Sequence, residues 1–540
     1  MSDLKDWLWR ALRKKSAVEP PLEPPIRLGN FSNGEFFHQA TRREEKLRRE
    51  ILRRAGENAR RLGMERRDFL ASAMGMATSL SVLNLACGSD SREGRDTTLA
   101  DTSGIDTAGP DLALDSAPSD GGFDIPEDAT LDCGTAENIL AGDDFIFDIQ
   151  THHVEEEGAW RDTNPGSGVS LAAFFATVNG CSNPDPIQCV DAQAYLERVF
   201  LESETTMAVL SGFPTALCTE TRTSGCGNPL DNDMIVRSRD RLNALAKSQR
   251  VVNHCQVNPN DELDRQLAIM ERVHAEHGVW GWKCYPEWGP AGTGWMLDDE
   301  EVGIPFIEKA RELDVKVICI HKGIVFPGWD RAASDPKDVG VVAVRYPDVK
   351  FVVYHSAIEI GAVGEGPYDP NNDQGTDRLV RAVLDNDLAG KNVYAELGSV
   401  WAQVMNTPAV AQHVIGKLLK NLGPDNVLWG SECVWLGSPQ PQIEAFRRFQ
   451  ISEQLRDQHG YPELTPELKA KIFGKSAAAV YGIDPDETRC KMEATELGQL
   501  KRRLDAELGA RRWTLMQRMG GPTTRREFVR LARHRGGRPG

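Results

Sequence analysis

The sequence predicts an α/β fold of the (β/α)8 type, a TIM barrel, on three observations. Eight short apolar runs recur through the region 136–490, and their β-branched and aromatic content is typical of parallel strands buried on both faces. Helical patterns separate the runs. Histidine or glutamate side chains stand at the ends of four of them. The predicted strands are 144–151, 206–212, 250–256, 279–285, 315–321, 349–355, 391–397 and 426–431.

Amphipathic patterns between these runs predict the barrel helices. They cover 191–204, 233–248, 261–277, 300–313, 376–386 and 408–422. A further helix is expected over 464–481. The alternation of strands and helices also fits a doubly wound open sheet, which is the second choice. No Gly-x-Gly-x-x-Gly or Walker sequence follows a strand, so nucleotide binding has no support.

The flanking regions differ from the barrel in composition. We interpret 1–63 as a basic N-terminal extension that contains an amphipathic helix over 42–62, and 491–540 as a basic helical tail. Residues 88–135 are rich in Asp, Ser, Thr, Gly and Pro, which predicts an acidic disordered linker. The formal net charge of −17 argues against nucleic acid as a partner. Cys181 with Cys189 and Cys218 with Cys226 lie in loops and would pair in an oxidising compartment.

Residues 64–87 resemble a twin-arginine export signal. Arg66 and Arg67 precede an uncharged stretch, 69–86, and Cys87 follows in a sequence similar to a lipoprotein cleavage site. The resemblance implies the twin-arginine export machinery as a partner and a periplasmic or cell-envelope location. Lipidation at Cys87 and anchoring through 69–86 are both left open.

Polar residues at the strand ends predict a metal site. His152 and His153 end the first run, His321 the fifth, His355 the sixth, and Glu432 follows the eighth. Side chains at the carboxyl ends of barrel strands meet on one rim, where active sites of this architecture are built. Imidazole nitrogens with a carboxylate suit Zn²⁺, and Mn²⁺ less well.

These residues also resemble a known family. Asp148-Ile149-Gln150-Thr151-His152, then His321, His355 and Gly430-Ser431-Glu432, are similar to the motifs of the amidohydrolase superfamily. The branch resembled is the amidohydrolase-related one, which includes aminocarboxymuconate-semialdehyde decarboxylase and resorcylate decarboxylases. Two positions depart from its pattern, because Gln150 stands where His is usual and Glu432 where Asp is usual.

The resemblance and the donor chemistry assign roles to these residues. His152, His321, Glu432 and Gln150 are the predicted metal ligands, with His153 as an alternative to Gln150. Glu432 and His355 are the predicted catalytic residues, the first as proton acceptor and the second as the group that polarises the substrate. His254, His274 and His277 are interpreted as ordinary packing residues.

Lys283, Trp288 and Trp435 are the predicted substrate-binding residues. Lys283 ends the fourth run, and a lysine inside a barrel is costly unless it is paired. A substrate carboxylate, a structural partner such as Glu396, or carbamylation would each satisfy it. Tryptophans in the rim loops indicate an aromatic or apolar substrate, and the insertions 152–190 and 213–232 are expected to act as lids.

Three functions follow as hypotheses. The first is an exported metal-dependent hydrolase of an amide, ester or lactone of a small molecule. The second is a metal-dependent, non-oxidative decarboxylase of an aromatic acid. The third is a catalytically weak barrel that serves as a tethered binding protein. It is suggested by Gln150, a weak ligand at a position where His is usual. The oligomeric state is left open.

Overall fold

The computed structural model describes residues 22–29, 31–32, 37–85, 121–156, 158, 160–163, 185–224, 226–290, 292–326, 328–359, 365–492, 495 and 497–502. Its centre is a sheet of eight parallel strands in consecutive order, which confirms the predicted barrel. The strands are β1 Phe147–Thr151, β2 Met207–Leu210, β3 Val251–Gln256, β4 Gly281–Cys284, β5 Val317–His321, β6 Lys350–Tyr354, β7 Val393–Glu396 and β8 Val427–Leu428.

The barrel closes between its first and last strands. The Ile149 amide donates to the Trp429 carbonyl at 3.1 Å, and beyond β8 the Glu432 amide donates to the Gln150 carbonyl at 2.9 Å. The interior is filled by apolar side chains that include Phe147, Val252 and Val352. The helix Ser476–Tyr481 packs on these residues and closes the end opposite the predicted site.

The six predicted barrel helices are present, and the described residues form further helices that the sequence patterns did not predict. The helices in order are Ala192–Tyr195 continuing as a π-helix over Leu196–Leu201, Asn232–Ala246, Leu263–His277, Gly303–Glu312, Lys337–Arg345, Thr376–Asp385, Val400–Val404, Pro408–Leu422, Gln440–Arg448, Glu453–His459, Pro466–Ala470 continuing as a π-helix over Lys471–Lys475, Ser476–Tyr481 and Pro485–Met492. The unpredicted helices include Lys337–Arg345, after β5, and Gln440–Arg448, after β8. The first is rich in valine and contains Gly340, so its intrinsic helix propensity is low.

A layer of N-terminal helices covers one side of the barrel. Arg42–Leu62 is confirmed as a helix, and it begins with a capping box between Thr41 and Glu44. Arg66–Leu70 and Ala73–Leu85 follow, and most residues of the longer one are buried. Their apolar side chains belong to the same core as those of the barrel helices. The predicted export segment is therefore packed into the domain, and its export role stays a prediction.

The predicted linker is shorter than the composition indicated. Residues 121–135 were included in it, but Gly122–Phe123 pairs with Phe449–Gln450, and the helix Cys133–Leu140 packs on Ala73–Leu85. Short segments gain structure here because the barrel supplies a surface that composition does not reveal. The rest of the linker, Cys87, much of the lid 152–190 and most of the C-terminal tail lie outside the described residues. Cys218 and Cys226 form a disulfide, and Cys189 is also disulfide-bonded.

Among the described residues, no helix combines the length and apolar character that a bilayer crossing requires. The helix Ala73–Leu85, within the predicted export segment, has 13 residues.

The packing of the N-terminal layer predicts the effect of Leu80→Ala. Leu80 is fully buried, so we expect its truncation to lower the free energy of unfolding of the whole domain by about 2–5 kcal/mol. Leu62→Ala is the matched control, since Leu62 is 39% exposed and should change stability by about 0.5 kcal/mol or less. Denaturant unfolding followed by circular dichroism measures both. An unfolding midpoint unchanged by Leu80→Ala would mean that this helix is not part of the cooperative domain.

Candidate active site

The predicted site residues come together at the carboxyl ends of the barrel strands. His321 is the last residue of β5, Glu396 the last of β7, and His355 directly follows β6. Gln150 lies in β1, and Glu432 lies beyond β8. All five side chains are buried.

Two histidines and a glutamate form the centre of the site. The rings of His321 and His355 lie 4.7 Å apart between centroids, in an edge-to-face arrangement. Glu432 Oε1 is 3.7 Å from His355 Nε2, and the Ser399 hydroxyl donates to Glu432 Oε2. His355, Ser399 and Glu432 all have positive φ values, of 63°, 58° and 59°. Such backbone costs about 1–3 kcal/mol per residue and is concentrated at functional sites, where it aims side chains.

Three of the histidines share a tautomer that suits metal binding. His152 Nδ1 donates to the Ser211 carbonyl at 2.8 Å, and His355 Nδ1 to the Gly398 carbonyl at 2.7 Å. His321 Nδ1 lies 3.2 Å from Glu287 Oε1. Because these partners only accept, the proton stays on Nδ1 and the lone pair on Nε2. Metal-binding histidines are typically oriented in this way.

His153 and His254 have different surroundings. His153 Nε2 lies 2.9 Å from the Ser238 hydroxyl, on the helix Asn232–Ala246. To take the place of Gln150 as a ligand, His153 would have to give up this contact. His254 uses both ring nitrogens, toward the Ser211 and Tyr481 hydroxyls at 2.9 and 2.7 Å. Burial lowers the pKa of both histidines, which keeps them neutral.

The predicted ligands do not converge on one point. Among the residues that the structure describes, no three His, Cys, Asp or Glu side chains approach closely enough to hold a metal ion. The donor set His152, His321, Glu432 and Gln150 fits a divalent ion by its chemistry and tautomers, but binding requires side chains to move.

Gln150 bridges the site and Glu396. Its amide group lies 3.4 Å from His355 Nε2, and with its nitrogen turned toward Glu396 it donates to Oε2 at 2.8 Å and Oε1 at 3.1 Å. Burial raises the pKa of Glu396 to about 8, while the His355 and Gly398 amides that donate to it act in the opposite direction. Glu396 was predicted only as a partner for Lys283. Its contacts with Gln150 and with the His355 backbone were not anticipated.

Lys283 packs against two tyrosine rings. Its ammonium group is 4.0 Å from the ring centroid of Tyr285 and 4.2 Å from that of Tyr354, and the side chain is fully buried. Cation–π contacts of this kind stabilise a desolvated cation by about 2 kcal/mol. Tyr285 in turn stacks on His321, with 4.9 Å between ring centroids. Lys283 and the predicted ligand His321 therefore pack against the same ring, that of Tyr285.

Aromatic rings wall the site on two sides. Trp435 stacks on His152 with 6.2 Å between ring centroids, and Phe213 lies 5.3 Å from the same ring, so Trp435 is where the sequence predicted it. Trp288 is half-buried, and in the described part of the chain it is not among the rings that pack on these histidines. Trp329, in the loop after β5, occupies such a position instead, 5.7 Å from His321.

Two residues that orient the site escaped prediction. Glu287 lies in the loop after β4 and Ser399 in the loop after β7, and both are buried. An acidic residue four positions beyond Lys283 was a usable signal for Glu287. Ser399 belongs to no pattern, because its contact with Glu432 arises only when two barrel loops meet.

The fold and site define a TIM-barrel protein with imidazole, carboxylate and ammonium groups at the carboxyl ends of its strands. Within the chain, residues 232–483 match the family model Amidohydro_2, described as amidohydrolase. None of the curated proteins matches the chain.

Several solved structures share the fold at low identity. One is an uncharacterised TIM-barrel protein from Bordetella bronchiseptica, with 13% identity over 62% of this chain and 100% of the other, at a TM-score of 0.42. Another is the 5-carboxyvanillate decarboxylase of Sphingomonas paucimobilis, with 13% identity over 63% and 100% and a TM-score of 0.42. A dihydroxybenzoic acid decarboxylase from a Polaromonas species, with bound manganese, has 14% identity over 63% and 97% and a TM-score of 0.38.

Proposed function

We propose that the protein is a metal-dependent enzyme of the amidohydrolase superfamily that decarboxylates an aromatic acid without oxidation. The observation that carries the proposal is the buried Lys283 ammonium between Tyr285 and Tyr354, with Tyr285 in turn stacked on His321. A positive charge inside a site walled by aromatic rings favours a planar anion over a neutral substrate. The match of 232–483 to the amidohydrolase family model supports the superfamily assignment.

The reaction replaces a carboxyl group by hydrogen. The metal, held by His152, His321, Glu432 and Gln150, would act as a Lewis acid for the substrate carboxylate and a neighbouring hydroxyl. Lys283 attracts the anion and orients its ring. The His355–Glu432 pair delivers a proton to the ring carbon while the bond to the carboxylate breaks. Carbon dioxide and the arene leave, and the pair regains its proton from water.

Hydrolysis of an amide, ester or lactone is the second candidate, and the His355–Glu432 pair favours it, since the same pair can accept a proton from attacking water. It was the first choice from sequence. We place it second because the buried Lys283 ammonium, packed between two tyrosine rings, favours an anionic substrate over a neutral one. Both candidates require a metal, unlike the binding-protein alternative.

Product analysis tests the proposal directly. Protein purified without a tag is analysed for metal, reloaded, and incubated with hydroxybenzoates and, separately, with lactones, esters and amides. We expect carbon dioxide and the matching phenol in equal amounts from the hydroxybenzoates. If only hydrolysis products form, the second candidate replaces the proposal. If the protein neither contains nor takes up metal, both enzyme functions are rejected and the binding-protein hypothesis is the one that stands.

The role of Lys283 gives a separate prediction. Lys283→Met keeps the length of the side chain and removes its charge, so we expect affinity for an aromatic acid to fall by about 10²-fold, or roughly 3 kcal/mol. Binding of the methyl ester of the same acid should change by less than about threefold. Calorimetric titration measures both ligands. Equal losses for acid and ester would show that Lys283 supports the structure of the site and does not recognise the carboxylate.

A further inference from the structure

The carboxylate of Glu396 selects the orientation of the Gln150 amide. With the nitrogen toward Glu396, it donates to the two carboxylate oxygens at 2.8 and 3.1 Å. The amide oxygen then occupies the position 3.4 Å from His355 Nε2, on the side of the site. In the opposite orientation the amide oxygen would face the Glu396 carboxylate, and two acceptors would be in contact.

Glu396 is itself fixed in place. The His355 amide donates to Oε2 at 3.0 Å, the Gly398 amide donates to Oε1, and the Ser356 hydroxyl donates to the Glu396 carbonyl at 2.7 Å. A Cβ atom at Gly398 or Gly430 would overlap the Glu396 carboxylate. Both positions therefore need glycine for this close approach. The carboxylate is held by donors on both oxygens and cannot turn away from Gln150.

The orientation of Gln150 changes the kind of donor at the first ligand position of β1, the one before His152. An imidazole there would offer nitrogen, whereas the held amide offers a carbonyl-type oxygen. Imidazole suits Zn²⁺, and carbonyl and carboxylate oxygens suit Mn²⁺ and Mg²⁺. Together with Glu432, Gln150 brings the predicted set to two oxygen donors and two nitrogen donors.

We propose that Glu396 is a positioning residue that holds Gln150 as an oxygen ligand. As a result, the site binds Zn²⁺ more tightly than Mn²⁺ by a smaller factor than is usual. The proposal rests on the metal dependence in the proposed function, and on neither the substrate nor the reaction. Glu396 acts only through the amide of Gln150.

Metal affinities of the full-length protein test this proposal. Dissociation constants for Mn²⁺ and Zn²⁺ are measured by chelator competition at one pH for the wild type, Gln150→His, Glu396→Gln, Gln150→Ala and the Glu396→Gln/Gln150→Ala pair. We expect Gln150→His to raise the affinity for Zn²⁺ relative to Mn²⁺ by about tenfold or more. Glu396→Gln should weaken Mn²⁺ binding by about 10- to 100-fold, as loss of an orienting partner does.

The double variant separates positioning from a general structural role. In the Gln150→Ala background there is no amide to orient, so Glu396→Gln should change Mn²⁺ affinity by less than about threefold. The same loss in both backgrounds would overturn the proposal. If Glu396→Gln does not fold, Gln150→His alone decides, and an unchanged ratio of the two affinities would refute the oxygen-donor assignment.

The outcomes differ from those that test the reaction. Coupling between Glu396 and Gln150 in protein that releases no carbon dioxide would sustain this inference and reject the decarboxylase. If the protein releases carbon dioxide but the Glu396 and Gln150 substitutions have additive effects on metal affinity, the decarboxylase is sustained and this inference is rejected. Wild-type protein that binds neither ion would overturn the inference as well as the metal dependence.

Discussion

His321→Ala is expected to remove bound metal and activity together. His321 lies at the end of β5 with its Nδ1 proton toward Glu287, which leaves the Nε2 lone pair for a metal. Tight zinc sites are worth about 10–16 kcal/mol shared among roughly four ligands. Loss of one ligand should therefore weaken binding by on the order of 10²–10³-fold. Metal analysis after dialysis and turnover with saturating substrate measure the two effects.

His274→Ala is the control for this substitution. His274 is half-buried on the helix Leu263–His277, and it does not end any of the predicted strands. It should keep the wild-type metal content and turnover. Glu287→Ala should give a metal content and turnover between those of the His321 and His274 variants. It leaves the ligand His321 in place but removes the acceptor that orients its ring. Full metal content in His321→Ala would exclude His321 as a ligand.

The barrel and the strand-end residues were predictable because both depend on local sequence. A strand buried on both faces needs a continuous apolar run, and a parallel barrel places the ends of such runs on one rim. His321 and His355 were therefore assigned from position alone, and the structure brings their rings to 4.7 Å.

The position of a residue at a strand end does not determine the direction of its side chain, as His153 shows. His152 and His153 both lie beyond Thr151, the last residue of β1, where the alternation of side chains along a strand no longer applies. In the structure His152 contacts the Ser211 carbonyl, whereas His153 contacts the Ser238 hydroxyl. The sequence alone therefore could not choose between them.

Loop residues could not be placed from sequence for a different reason. Trp288 and Trp329 both follow barrel strands, and nothing local distinguishes the ring that packs on His321. The path of each loop depends on contacts with neighbouring loops, such as the Asp330 amide that donates to the Glu287 carbonyl at 2.8 Å. Partners in such contacts are distant in sequence, so composition and periodicity carry no information about them.

The helices before the barrel illustrate a conflict between two patterns. An uncharged stretch after paired arginines is typical of an export signal, and an uncharged stretch is also what a fully buried helix requires. The structure buries Phe69, Leu70 and Leu80 completely against the same core as the barrel helices. A sequence window contains the stretch but not the surface that covers it, which is why the patterns look alike.

His355→Asn is expected to separate chemistry from metal binding. His355 has a φ of 63°, and Asn tolerates this left-handed region while it lacks an imidazole, so the backbone should be preserved. The His355–Glu432 pair then loses its proton carrier. We expect turnover to fall by on the order of 10²–10⁴-fold, the usual contribution of a positioned acid or base, with metal content near that of the wild type.

Glu432→Gln provides the contrast for that result. Glu432 is both a predicted ligand and the partner of His355, so its substitution should lower metal affinity and turnover together. The two residues act as one unit, so their losses should not multiply. With saturating metal, the turnover of the double variant should lie within about threefold of the turnover of the slower single variant. Multiplied losses would show that His355 and Glu432 act in separate steps. Loss of metal from His355→Asn would instead make His355 a ligand, because an imidazole that only moves protons does not contribute to the affinity for the ion.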